Sequence, residues 1–242
     1  MADATDRIVY VDGLVNARDL GGLRRTDGGI TPRGVFFRSE SVDRIPTTGW
    51  CQIEDLGIRT VVDLRQPGER ASDRGSRPGW LHTASVDLDG RENEAFWRDY
   101  WDNGLMATAL YYLPHLRAMP ERACAALSAI VSAPPGGVLF HCMGGRDRTG
   151  LISLLLLCAG GVEPDEIVDD YVETVRRGEL RAISENRHDT EPEIELLCQS
   201  HDTTTEQAFR MALAALDVEQ VMSEGGMSLD DRLALVSWRG RL

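Results

Sequence analysis

A chain of 242 residues and 26.8 kDa can bury about 70–75% of its unfolded surface in one compact unit, so a single domain over residues 1–242 is expected. With 42% hydrophobic and 27% charged residues the composition excludes collagen-like and disordered classes, and 26 basic against 39 acidic residues leave a net charge of -13. That field repels nucleic-acid backbones and anionic membranes, and neither is expected as a partner. Every basic residue is arginine; without lysine there is no phosphate loop ending in Gly-Lys-Ser/Thr, no Schiff-base chemistry and no lysine base.

Met1 to Tyr10 carries Asp3, Asp6 and Arg7 and has no apolar core of signal-peptide length, so a soluble, unprocessed cytoplasmic protein without stable membrane anchoring is expected. Tyr10 to Val15, Gly34 to Phe37 and Leu81 to Val86 read as edge strands, with turns at Asn16 to Gly22 and Asp27 to Gly29. Gly57 to Arg65 (GIRTVVDLR) and Gly137 to Phe140 with the following His-Cys are short, β-branched apolar runs of the kind buried inside a parallel sheet. Residues 66 to 79 (QPGERASDRGSRPG) form a loop in which Arg65, Arg70, Arg74 and Arg77 suggest a basic rim, and Arg91 to Asn103 offers aromatic residues to close over a ligand.

Helical spacing dominates the second half. Met106 to Ala133 is expected to be broken by Pro114 and Pro120, Arg148 to Ala159 is apolar enough for a core helix stopped by Gly160-Gly161, and Pro164 opens a helix to Arg177. Two more are expected over about Thr204 to Leu216 and Leu229 to Trp238, the last opened by Ser228 and Asp231 spaced as a capping box. Strands early and helices late imply an α/β fold with a mostly parallel central sheet flanked by helices. The cysteines at 51, 124, 142, 158 and 198 are odd in number and contain no C-x-x-C pair, which fits neither a disulfide framework nor a zinc ribbon.

The segment His141-Cys142-Met143-Gly144-Gly145-Arg146-Asp147-Arg148-Thr149-Gly150 lies between the buried strand and the buried helix. A glycine-containing loop there turns successive backbone N–H groups inward, and the helix N-terminus adds about half a positive charge, which together suit a phosphate dianion. Cys142 at the base is expected to be held as thiolate, and the planar fork of Arg148, six positions on, can span two phosphoryl oxygens. Cys142 is the one cysteine with an arginine at that spacing.

This segment resembles the phosphate-binding signature of cysteine-dependent tyrosine phosphatases, in the form HCxxGxDRTG of bacterial tyrosine-phosphatase-like enzymes and atypical lipid phosphatases. Asn16-Ala17-Arg18-Asp19-Leu20-Gly21-Gly22, Phe37-Arg38-Ser39, Val61-Val62-Asp63-Leu64-Arg65 and Asp170-Tyr171 are similar to the subgroup's other motifs, in its order, so the likeness covers most of residues 10 to 180. Residue by residue, Asp19 and Gly21-Gly22 read as turn formers, and Asp63 and Arg65 as a pair at a strand end. Where the subgroup carries lysine, tied there to multiply charged substrates, this chain has Arg146.

The resemblance implies a tyrosine-phosphatase-like fold and a two-step, metal- and cofactor-free displacement: the Cys142 thiolate attacks phosphorus, and water then hydrolyses the cysteinyl-phosphate. Met143, Gly144, Gly145, Arg146 and Thr149 bind the substrate, and Thr149 donates to the Cys142 sulfur as it leaves. Asp147 is the first candidate for proton transfer, with Asp87 and Asp89 as rivals; His141 orders the loop. A phosphotyrosine protein, a phosphoinositide or a small metabolite such as a nucleotide or sugar phosphate would each satisfy the loop. The competing classes, a non-catalytic phosphate-binding module and thiol chemistry such as arsenate reduction or sulfur transfer, fit less well: nucleophile and arginine both stand, and Cys158 lies a full helix away from Cys142.

Overall fold

The computed structural model describes residues 7–73 and 75–242. In chain order, the short strand β1 (Arg18–Asp19) precedes β2 (Phe36–Ser39), α1 (Thr47–Asp55), β3 (Ile58–Asp63), α2 (Pro67–Arg70) and β4 (His82–Ser85). Next come α3 (Glu94–Tyr100), two 3₁₀ turns at Leu105–Ala107 and Ala109–Tyr111, α4 (Tyr112–Ala118), α5 (Pro120–Val131) and β5 (Gly137–His141). The remainder is helical: α6 (Asp147–Ala159), α7 (Pro164–Arg176), α8 (Gly178–Ser184), α9 (Glu191–Gln199), α10 (Thr205–Ala214), α11 (Val218–Glu224) and α12 (Leu229–Val236).

The strands form one sheet in the order β1-β2-β5-β3-β4, parallel throughout except that β1 runs antiparallel to β2. The expected α/β architecture holds. β5 and β3 occupy the interior because their residues are apolar on both faces; Ile58, Val62, Val138, Leu139 and Phe140 are all fully buried. β2 is also interior, whereas an edge strand was expected: its side chains Phe36, Phe37 and Arg38 are buried between β1 and β5. Tyr10 to Val15 forms no strand, only an isolated bridge between Val11 and Leu14. Two-residue β1 lies within the segment read as a turn.

Helix α6 is buried from Arg148 through Leu157, which explains why its sequence has no polar face, and it packs beneath β5 and β2 with α5 and α7 beside it. Pro114 does not break the expected long helix, because it sits in the first turn of α4, where a proline leaves no intrahelical bond unmade; the break is at Met119, and Pro120 opens α5. Ser228 caps α12 by accepting from the Asp231 N–H at 3.1 Å, but the box is not reciprocal, since the Asp231 carboxylate accepts from the Ser132 hydroxyl at 2.6 Å. No described helix is long and apolar enough to cross a membrane.

Candidate active site

The parallel strands β2, β5 and β3 end side by side, Ser39 and Asp63 both in register with His141, and the chain leaves β5 there into the loop 142–146. This is the carboxyl edge of an open α/β sheet, where loops rather than side-chain layers meet solvent. The loop's carbonyl groups are drawn backwards into the protein. Met143 O accepts from Ser41 N at 2.8 Å, Gly144 O from Arg181 at 3.2 Å and Asn16 at 3.4 Å, and Gly145 O from Arg38 at 2.8 Å. The backbone N–H groups of Met143 to Arg146 have no acceptor among the described residues. Gly145 permits the turn: its φ is +67°, and a Cβ there would come within 2.4 Å of Ser39 O.

Cys142 is buried at the base of the loop, 3% exposed, and His141 Nδ1 bonds its carbonyl at 2.9 Å, the ordering role expected of that histidine. Burial is the main influence on His141 and lowers its pKa. Arg148, on the first turn of α6, presents a fork to Glu69 of α2 (Nη1–Oε2 2.5 Å, Nη2–Oε1 2.8 Å) and reaches Asp89 Oδ2 at 3.2 Å. Burial opposes the Arg148 charge, but the Glu69 hydrogen bonds and the charges of Cys142, Asp89 and Glu69 outweigh it and hold the guanidinium above its ordinary pKa. Glu69 shows the reciprocal effect: burial would raise its carboxyl, yet the Arg148 bonds bring it below the usual value.

A cavity of about 200 Å³ opens over this loop. It is lined by Cys142, Met143, Gly144, Arg146, Asp147 and Arg148 of the loop and the start of α6, together with Asp89, Trp97, Met106, Tyr111, Arg181, Arg187 and Glu191. A larger cleft of about 440 Å³ lies at the opposite end of the strands, by Gly34, Gly57 and Gly137, and bears no nucleophile. Three carboxyl groups line the active-site cavity, those of Asp89, Asp147 and Glu191, the last held by Arg146 and Arg181. Asp147 accepts from Arg146 Nη1 at 2.8 Å through Oδ1, with its side chain 23% exposed. Asp89 is nearly closed off, its Oδ2 taken by Gln66 Nε2 at 2.6 Å and by Arg148, and burial is the leading reason its carboxyl lies above the normal range. Asp87 instead turns its Oδ1 to the N–H groups of Asp89 and Gly90 and does not line the cavity.

Of the remaining expected residues, Arg146 is buried and tied down: Nε bonds Glu191, Nη1 bonds Ala107 O at 2.6 Å and Asp147, and Nη2 has no hydrogen-bond partner among the described residues. Thr149 is fully buried, its hydroxyl unpartnered, and it does not line the cavity; the bond to the Cys142 sulfur is not formed. Gly145 also lies behind the cavity surface. The basic rim is not there. Arg65 is fully buried among Asp63, Asp43 and Asp73, and its pairing with Asp63 is the one expected at the strand end; Arg77 pairs with Asp73 and Asp43, and Arg70 bonds Arg65 O. Arg74 lies outside the described residues. From Arg91 to Asn103, Trp97 does reach the cavity and donates from Nε1 to Asp89 O at 2.8 Å.

Sequence reasoning missed Glu69, Gln66, Arg181 and Glu191. Glu69 and Gln66 carry a visible signal, a capping box around Pro67, but nothing local shows that Glu69 also faces an arginine 79 positions away. Arg181 and Glu191, joined at 2.6 Å, come from the helical region where the family motifs thin out.

The family described as the tyrosine phosphatase family matches residues 9–236. Among curated relatives, a putative tyrosine-protein phosphatase of Cupriavidus necator is 33% identical over 176 residues, covering 69% of this chain and 62% of the relative. A tyrosine-protein phosphatase of Nostoc commune is 28% identical over 144 residues, 58% of this chain and 48% of the relative. The triple specificity protein phosphatase PtpB of Mycobacterium tuberculosis is 30% identical over 198 residues, 66% and 71%. The chain thus spans less than two thirds of the first two relatives. With the family's match running from Val9 to Val236 through strand, loop and helix, the chain belongs to the tyrosine phosphatase family.

Proposed function

We propose that the protein is a cysteine-dependent phosphate monoester hydrolase working through a cysteinyl-phosphate, with phosphotyrosine-like aryl phosphates as substrates. The observation that carries this reading is the cup itself: Cys142 lies beneath N–H groups of Met143 to Arg146 left without acceptors, with Arg148 beside it. Donors fixed before the substrate arrives need no reorganisation when charge spreads over the equatorial oxygens, and this is the larger part of phosphoryl-transfer catalysis. Cys142 Sγ attacks phosphorus in line as the P–O bond to the leaving group breaks; water then adds to phosphorus, the S–P bond breaks, and the thiolate returns.

Proton transfer to the leaving oxygen falls to Asp147. Its side chain, 23% exposed, is more open than those of Asp89 and Glu191, which also line the cavity, and its Oδ1 is held by Arg146. A second reading assigns the proton to Asp89, favoured by the burial that raises its carboxyl. Asp89 Oδ2 is already bonded to Gln66 and Arg148, which suits it better to positioning Arg148. Trp97, Met106, Tyr111 and Ile194 give the cavity an apolar wall for an aromatic leaving group.

The test is release of phosphate from p-nitrophenyl phosphate in the presence of EDTA, by the parent protein and by Cys142→Ser. The parent turns over, and the serine variant loses activity by at least about 10³-fold while still binding tungstate. Turnover retained by Cys142→Ser sinks the covalent route.

A further inference from the structure

Behind the loop lies a buried cluster that the proposed chemistry does not use. Arg7, Arg18 and Arg38 all converge on one carboxylate, Asp170 of α7: Arg7 Nη1 and Arg18 Nε at 2.9 Å from Oδ1, and Arg38 Nη1 at 2.6 Å from Oδ2. None of the four side chains is more than 2% exposed. Three cations on one anion leave two positive charges in surplus. Two further buried acids, Asp19 and Glu40, make no ion pair with the cluster: their oxygens accept from backbone N–H groups, those of Gly21 and Gly34 for Asp19 and of Val15 and Asn16 for Glu40. Burial and the charge of Arg38 lower Arg18 to about 9, still cationic at neutral pH. Thr174 Oγ1 accepts from Arg18 at 2.6 Å and completes the packing.

A buried surplus of like charge is costly unless an anion offsets it. The cluster's forward contacts run to the loop. Arg38 Nη2 donates to Gly145 O, and Arg18 Nη1 holds Asn16 Oδ1 at 2.7 Å, so that the Asn16 amide donates to Gly144 O. In a trans peptide the N–H points opposite to the C=O. Pulling Gly144 O and Gly145 O backwards therefore aims the N–H groups of Gly145 and Arg146 forwards, into the cup.

We propose that Arg38, Arg18 and Asp170, with Arg7, form a positioning unit that sets the peptide planes of the phosphate loop and supplies the positive field behind the Cys142 sulfur. This gives a shared purpose to the separate motifs Asn16-Ala17-Arg18, Phe37-Arg38-Ser39 and Asp170-Tyr171. It rests on the reading of Cys142 as the nucleophile.

The experiment measures the pH profile of Cys142 alkylation by iodoacetamide and the affinity for tungstate, in the full chain, for Arg38→Gln, Arg38→Lys and Arg7→Gln. Arg38→Gln removes a charge and weakens a charge-assisted bond, so the alkylation midpoint moves to higher pH and tungstate affinity falls about tenfold or more. Arg38→Lys restores the midpoint but only part of the affinity, because an ammonium cannot bridge Asp170 and Gly145 O with the same fork. Arg7→Gln leaves the loop contact intact and moves the midpoint in the same direction by a smaller amount; it decides the matter if the Arg38 variants do not fold. Folded variants of Arg38 or Arg7 whose midpoint and tungstate affinity stay within about twofold of the parent overturn the proposal. Alkylation needs no turnover, so a parent protein lacking phosphatase activity defeats the hydrolase reading and leaves this test interpretable.

Discussion

Glu69→Gln isolates how much the site depends on holding Arg148 before substrate arrives. In the parent both Glu69 oxygens accept from the guanidinium, at 2.5 and 2.8 Å, and Oε2 also accepts from Gln66 N at 3.0 Å. Glutamine keeps one acceptor but turns an NH₂ group towards the other guanidinium N–H, so one charge-assisted bond is lost and the second weakened. Each such bond contributes about 1.5–3 kcal/mol. Glu69 is about a quarter exposed, and Asp89 remains on Arg148, so the loss of stability is reduced to about 1–2 kcal/mol. In a chain of this length that is a fall in Tm of about 2–8 °C. The larger effect falls on turnover, because an unfixed fork must be ordered in the transition state: kcat/KM for p-nitrophenyl phosphate drops by about 10–100-fold, with kcat carrying most of it. Thermal melts over a pH series supply the second readout. The folded Glu69 carboxyl lies below its unfolded value, so its contribution is present above pH of about 4.5 and disappears as pH falls through the folded value. The stability difference between parent and Glu69→Gln therefore closes on acidification. Unchanged kcat/KM together with a difference in Tm that does not depend on pH refutes the positioning role of Glu69.

Two further substitutions test other parts of the site. Asp147→Asn loses more rate on an alkyl phosphate than on an activated aryl phosphate, by at least about tenfold, whereas Asp89→Asn lowers both alike; the reverse pattern in steady-state assays moves the proton donor to Asp89. Gly145→Ala forces a Cβ to within 2.4 Å of Ser39 O at a φ of +67°, so the loop must shift, and calorimetry detects no tungstate binding in a protein whose far-UV circular dichroism is unchanged.

The interior strands and the core helix are legible because their signal is local. A β-branched run closed by turn residues can be satisfied only inside a sheet, and a helix with apolar residues on all sides can only be buried, so β3, β5 and α6 fall within a residue or two of expectation. The loop from Cys142 to Arg148 is legible for the same reason. β2, expected at an edge over Gly34 to Phe37, lies inside the sheet, and the carboxylate of Asp170, 132 positions away, allows Arg38 to be fully buried there. The basic rim failed because the fold hands these arginines aspartates: Arg65 takes Asp43 as well as the Asp63 of its own strand end, and Arg77 takes Asp73.

The amino-acid order by itself determined the class of fold and the candidate loop that holds Cys142 and Arg148, since these rest on contiguous residues whose spacing dictates which groups a strand, a turn and a helix end bring together. The tertiary structure decided everything that depends on which charges meet across the chain. It placed Glu69 and Asp89 on Arg148, withdrew Arg146 into Glu191, and set the arginines behind the loop on Asp170. A charge's role depends on its partner and its distance from water, and neither is written in the residues beside it.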